Sequence, residues 1–223
     1  MHKLPTIIIL FDNEIDSTAI PLFRGAVIAS IEHKDILFHN HDKDKLRYAY
    51  PLIQYKRIHK KAAVMGIGKG IEVISQLLCI RNFNYQIGTE SVEMKIKSVN
   101  TYDNEIVISS KPQFSYRLRN WLPLNAENYM RYMDSDNIIE RITILERVLT
   151  GNILSFLKGI DIYLEEPLEL HITDIKNQHT TPYKKVKLMA FDIEFNSNIT
   201  LPQYIGIGKN ASVGCGVITK ITT

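Results

Sequence analysis

Between Phe38 and Pro51 the chain brings two imidazoles, His39 and His41, two phenols, Tyr48 and Tyr50, and the cations Lys43, Lys45 and Arg47 into one connection. That mixture suits cleavage of a phosphodiester. Imidazole, with an unperturbed pKa of about 6.5, both takes and gives a proton near neutrality, and an ammonium or guanidinium holds phosphate while it reacts. Histidines and lysines in a polar connection are more often simply solvated, so the segment names a chemistry and leaves its use open. Charge around it leans the same way. From His39 to Lys61, seven cations, the last of them Lys56, Arg57, Lys60 and Lys61, stand against Asp42 and Asp44, a local excess of five positive charges. Such an excess steers polyanions, although a solvated hairpin face has the same composition. The net charge of the whole chain, +3, is too small to identify a partner.

A second segment, from Gly206 to Gly216, places glycines 206, 208, 214 and 216 around Lys209, Asn210 and Ser212. Glycine lets backbone amides approach an anion closely, so this loop could cradle phosphates; a plain turn before a last strand is the alternative. It is not a Walker loop, because Gln203 stands where that pattern needs glycine and Asn210 where it needs a hydroxyl. It is not a dinucleotide fingerprint either, since too little chain follows for the helix and strand such a site requires. His39 and His41, at i and i+2, would supply two metal ligands, with Asp42, Asp44 or His59 to complete a set, but no HExxH or comparable spacing supports one. His33, His171 and His179 read as surface residues. Cys79 and Cys215 form no CxxC pair and are expected as buried free thiols.

These segments need a scaffold. Pro5 to Phe11 reads as a buried strand rich in β-branched residues, and Ala19 to Ile31 as a helix with Ser17 or Thr18 as N-cap and Pro21 in its first turn. Leu52–Arg57 and Lys60–Ile67 read as strands, Lys69–Ile80 as a helix, and Ser91–Val99 and Glu105–Ser109 as extended chain. The order β-α-β-β-α-β is that of a ferredoxin-like unit. A strand from Phe114 to Leu124 follows, then a helix over about Asn137–Leu157 with a stripe of Ile138, Ile142, Ile144, Leu145, Val148 and Leu149. Strands Leu168–Ile175 and Lys185–Glu194 and a last one near Gly216–Ile221 suggest a second, similar unit without a second helix. The class is α+β, with domains expected at 1–110 and 111–223. Apolar runs such as Thr6–Phe11 fall far short of the roughly 20 residues of a membrane helix, and no signal sequence opens the chain, so no membrane is expected and the cytoplasm is.

The histidine segment after the first helix, the run Pro51-Leu52-Ile53-Gln54-Tyr55-Lys56, and the terminal Gly206-Ile207-Gly208-Lys209 through Gly214-Cys215-Gly216 together resemble one family. They look like the CRISPR-associated repeat endoribonucleases of the Cas-six type, b subtype, within the RAMP superfamily. The resemblance runs from near the start of the chain to its end. It implies tandem ferredoxin-like domains and a ribonuclease that needs neither metal nor cofactor and cuts precursor CRISPR RNA within each repeat. In this family the 2′-hydroxyl attacks the adjacent phosphate, leaving a 2′,3′-cyclic phosphate and a free 5′-hydroxyl.

The resemblance carries over most directly onto His41, with His39 and Tyr48 as companions. The chemistry agrees: one proton must leave the 2′-oxygen, another must reach the departing 5′-oxygen, and donors must surround the phosphorane. His41 is assigned as general base or acid, His39 as its counterpart, Tyr48 as a positioning donor or alternative acid, and Lys43 or Lys45 as the charge stabiliser. RNA contact is expected from Lys43, Lys45, Lys56, Arg57, Gly206, Gly208, Lys209, Asn210, Ser212 and Gly214. Tyr50, Tyr55, Tyr116, Trp121, Tyr129 and Tyr132 are candidates for base stacking, most of them expected in the core. The partner implied is CRISPR repeat RNA, with other CRISPR-associated proteins and a homodimer left open. The competing reading is a non-catalytic RNA-binding subunit of a CRISPR effector complex, which would have no need of the His39, His41 and Tyr48 cluster.

Overall fold

The structure is a computed structural model of the 223-residue chain and describes residues 2–31, 41–42, 45–46, 50–79, 83–183 and 186–222, with the backbone alone at 41, 42, 45, 46 and 183. Two compact units divide it. One spans Lys3–Asn104 and takes back Ser212–Gly214; the other comprises Glu105–Ala211 and the chain from Cys215 onward. The expected division at 110/111 thus falls a few residues late, and the glycine-rich segment belongs in part to the first unit.

In that unit β1 (His2–Glu14) is longer than its apolar run, and Thr6–Ile9 are buried on both faces. Asp16 then starts a 3₁₀ turn (Ser17–Ala19): its Oδ1 accepts from Thr18 N at 2.8 Å and Thr18 Oγ1 at 2.7 Å, which holds its carboxyl below the usual range. The turn runs into α1 (Ile20–Ala29), which has Pro21 in its first turn and buries Ile20, Phe23 and Val27, one helical stripe. After the short strands β2 (His41–Asp42) and β3 (Lys45–Leu46) come β4 (Ile53–Ile58) and β5 (Lys61–Ile67). Their hairpin turns through His59 and Lys60, both at positive φ, as a two-residue turn between right-twisted strands requires. The helix α2 (Gly70–Ile74) is followed by a 3₁₀ turn (Ser75–Cys79), the hairpin β6 (Asn84–Ile87) and β7 (Glu90–Glu93), and β8 (Ile96–Ile106). The sheet order β4-β5-β1-β8 is that of a ferredoxin-like fold. Its core gathers Phe11, Phe23, Tyr55 and Tyr85, whose rings meet edge to face or tilted at 5.7–6.5 Å.

The other unit repeats the plan. Its strands β9 (Phe114–Trp121), β10 (Leu170–Tyr183), β11 (Val186–Ser197) and β12 (Val217–Lys220) lie in the order β10-β11-β9-β12, and β9 and β10 are separated by α3 (Ala126–Asp134) and α4 (Ile138–Gly159). No helix separates β11 from β12, as expected. Tyr116 fixes the core: its hydroxyl donates to Ile199 O at 3.2 Å and accepts from Leu201 N at 2.8 Å, and burial pushes it up to about 12. The whole is α+β, two ferredoxin-like domains in tandem.

Several expectations change. The polar stretch 100–104, read as a break, is part of the single strand β8, because Asn104 Nδ2 reaches Leu4 O at 3.2 Å and Thr6 Oγ1 at 3.0 Å. The helix expected to Ile80 tightens into a 3₁₀ turn after Ile74, and Cys79 at its end is exposed; Cys215 alone is a buried thiol. The helix α3 was not anticipated, although Asn125 caps it through Oδ1 to Asn128 N at 2.8 Å. The stripe of α4 begins at Ile144, and Ile138 is exposed.

Candidate nucleic-acid interface

The segment carrying the histidines is anchored at both ends within the first unit. At its start, Ser30 N donates to Ala26 O and Val27 O at 3.1 and 3.2 Å, and its Oγ to Val27 O at 2.8 Å, closing α1. At its end, buried Gln54 donates from Nε2 to Tyr50 Oη at 2.8 Å and to Pro51 O at 3.1 Å. Burial raises the Tyr50 phenol far above its ordinary value and the Gln54 donor lowers it in part, so Tyr50 is a neutral structural clasp. Between these anchors β2 and β3 pair antiparallel, His41 opposite Leu46 and Asp42 opposite Lys45. His41 and Lys45 therefore share one short hairpin. His39, Lys43 and Tyr48, and the side chains of His41 and Lys45, lie outside what the structure describes.

The basic residues of β4 and its neighbours divide. Lys56 is fully buried, 0% exposed, and presents no surface to an RNA strand. Alternation along β4 sends Tyr55 into the aromatic core and Lys56 to the opposite face, and both faces are covered. Arg57 is exposed, with Nε committed to Ile15 O at 2.8 Å. Lys61 bridges to Asp12, donating to its carboxylate and to its carbonyl at 2.9 Å; that contact holds the Asp12 carboxyl below its usual range. The local positive excess is thus smaller at the surface than along the chain.

The glycine-rich loop folds back on β12. Ile207 N donates to Gly216 O and Ile218 N to Ile205 O, both at 2.8 Å, and Gly216 N donates to Asn120 O at 3.0 Å. Its tip adds to the edge of β4: Tyr55 N donates to Ser212 O at 2.8 Å, and Val213 bridges Tyr55 in parallel. Gly206 is buried, Gly208, Asn210, Ser212 and Gly214 are half-buried, and Lys209 is exposed. Three of its glycines are at positive φ, and two of them would meet their neighbours most closely. Gly216 sits at φ 61°, where a Cβ would lie 2.0 Å from Ile207 O; Gly208, at φ 77°, would put one 2.5 Å from Asn152 Oδ1, which accepts from Trp121 Nε1 at 2.9 Å. A Gly208 substitution therefore perturbs the fold.

Gly216→Ala should destabilise by about 2–4 kcal/mol, combining a left-handed backbone with a backbone clash, and thermal unfolding followed by circular dichroism measures it. Lys209→Ala, on an exposed side chain, should leave the melting temperature unchanged and lower the salt slope of repeat-RNA binding by about one unit or less. An unchanged slope and affinity across the salt series would withdraw RNA contact from the loop.

Of the six aromatic candidates for stacking, Tyr50, Tyr55, Tyr116, Trp121 and Tyr132 are buried, and Tyr129, at 40%, is exposed. His171 is exposed and lies 3.9 Å from Glu146; His179 is half-buried beside Asn177. Among the described residues no three His, Cys, Asp or Glu side chains are grouped as metal ligands, and no helix is long and apolar enough to cross a membrane.

Comparison with known proteins covers both units. The family model of the Cas6b N-terminal domain matches residues 2–105, and that of the Cas6b C-terminal domain matches residues 108–221. A crystal structure of Cas6b is similar over 99% of this chain and 100% of that one, with a TM-score of 0.84 and 29% identity. The crystal structure of a CRISPR RNA processing endoribonuclease Cas6b is similar over the same shares, with a TM-score of 0.76 and 28% identity. An uncharacterized protein of Methanocaldococcus jannaschii is 35% identical over 101 residues, which are 45% of this chain and 67% of that one. With each ferredoxin-like unit matched by its own domain model, the chain belongs to the Cas6b family.

Proposed function

We propose that this protein is an endoribonuclease that processes precursor CRISPR RNA, cutting within the repeats without a metal ion. The observation that carries the reading is the match of both domains to Cas6b, with a solved relative named as a CRISPR RNA processing endoribonuclease similar along 99% of the chain. The histidine segment supplies the chemistry. His41 and His39 serve as general base and acid, Tyr48 positions the phosphate or shares the acid's work, and Lys43 or Lys45 offsets charge on the phosphorane. The 2′-oxygen loses its proton as it bonds to phosphorus, and the 5′-oxygen leaves with a proton returned to it. The products are a 2′,3′-cyclic phosphate and a 5′-hydroxyl. Lys209, Asn210, Ser212 and Arg57 lie on accessible surface and hold the strand through its phosphates; Lys56 supports the sheet from within.

The testing experiment is incubation with a repeat-containing RNA in excess chelator. A discrete cut at full rate is expected, with the upstream fragment resistant to 3′-end ligation until its terminal phosphate is removed. Loss of cutting in chelator, with recovery on adding a divalent ion, would replace this mechanism by metal-activated water.

A further inference from the structure

The glycine-rich loop rests on an amide whose own donor is unused. Asn152, in the middle of α4, accepts from Trp121 Nε1 at 2.9 Å through its Oδ1, and a Cβ on Gly208 would lie 2.5 Å from that oxygen and 3.1 Å from the indole nitrogen. An indole N–H only donates, so it fixes which end of the amide faces it and turns the NH2 group away. Among the described residues nothing accepts from Asn152 Nδ2; the side chain is half-buried and this nitrogen stays open to solvent. Two N–H bonds are thereby held in place beside the loop that carries exposed Lys209.

The helix beside this amide leaves room for something outside the chain. Gly151 stands in the interior of α4, exposed, and a Cβ there would meet nothing within 4 Å. Glycine weakens a helix interior relative to alanine, and no neighbour among the described residues calls for it here. Close approach of a foreign backbone does. By helical spacing Arg147, Ser155 and Lys158 share the exposed stripe of Gly151, and from Arg147 to the end of α4 there is no carboxylate. Glu146 is engaged elsewhere, accepting from Ile172 N at 2.8 Å. At a rise of about 1.5 Å per residue, Arg147 and Lys158 stand about 16 Å apart along the axis, room for more than one phosphate of a strand.

We propose that an RNA strand crosses α4 at Gly151, with Asn152 Nδ2 donating to one of its phosphates and Arg147 and Lys158 meeting those on either side. This contact rests on the ribonuclease reading and extends the RNA-binding surface from the glycine-rich loop onto a helix. It positions the strand and reads no base. Because Trp121 already holds the amide in the free protein, little side-chain freedom is lost when the phosphate binds.

Fluorescence anisotropy with labelled repeat RNA, 2′-deoxy at its cleavage position and in excess chelator, tests it. Asn152→Asp keeps the oxygen that Trp121 needs and replaces both N–H donors by a charge that repels phosphate. It should raise the dissociation constant about tenfold or more at an unchanged melting temperature. Gly151→Leu puts a good helix former into open space, so it should not lower the melting temperature, yet it should weaken binding several-fold by blocking the strand. Arg147→Ala with Lys158→Ala should lower the salt slope by about one to two units. Native affinity in Gly151→Leu, native affinity in a stably folded Asn152→Asp, or an unchanged slope in the double alanine variant overturns the contact and leaves the ribonuclease reading in place. A native chain that binds no repeat RNA overturns that reading and the contact with it.

Discussion

His41→Ala is expected to slow single-turnover cleavage of repeat RNA by about 10²–10⁴-fold, the usual cost of removing a general acid or base, while the RNA stays bound. The reason lies in the division of labour. Affinity for RNA comes mainly from phosphate contacts spread over many groups, whereas in the proposed mechanism each proton transfer at the scissile bond is assigned to a single group. His41 starts the β2 strand of a hairpin held between the α1 cap at Ser30 and the Tyr50–Gln54 clasp, a frame built from other residues. The alanine variant should accordingly melt at the parental temperature. His39→Ala and Tyr48→Phe should give smaller, graded losses. Quench-flow or gel assays with end-labelled RNA read all three, and cleavage by His41→Ala at the parental rate would remove this residue from the mechanism. Tight RNA binding by the parent with no cleavage at all would favour the reading as a non-catalytic subunit of an effector complex.

A repeat RNA with a single 2′-deoxy nucleotide at the cleavage position should not be cut above background, and it should bind as the all-ribose strand does. Its phosphates, which supply most of the affinity, are intact, and the nucleophile is gone. Added in excess, it should act as a competitive trap, slowing cleavage of labelled ribose substrate in proportion to its occupancy. Rapid cutting of the deoxy strand would show that the attacking oxygen is not the substrate's own. An activated water, and with it a metal ion, would then have to be sought.

The residues that carry chemistry, and the order of the elements that hold them, are legible along the chain because both are written locally. The alternation and β-branching of Thr6–Phe11, the spacing of Ile20, Phe23 and Val27, and Asn137 ahead of α4, where its Oδ1 accepts from Ile139 N at 2.9 Å, depend on neighbours within a few positions. The histidine segment is equally local, a matter of residue types within one connection. Which surface each element turns to solvent is not local. Lys56 and Arg57 are adjacent cations of the same type to any reader of the chain, yet pairing with β5 and cover on both faces of β4 bury one and expose the other. The glycine loop shows the same limit. Its composition suggests a phosphate cradle, but Gly216 is required by Ile207 O and Gly208 by Asn152, contacts made across 9 and 56 positions of sequence respectively. Cys79 and Ile138 have apolar neighbours and nevertheless face outward, because a 3₁₀ turn and a helix start set their direction. Patterns of period two and 3.6 reveal that an element has a buried side; the long-range pairing of strands and helices settles which side chains occupy it, and so which charges are left for a ligand to meet.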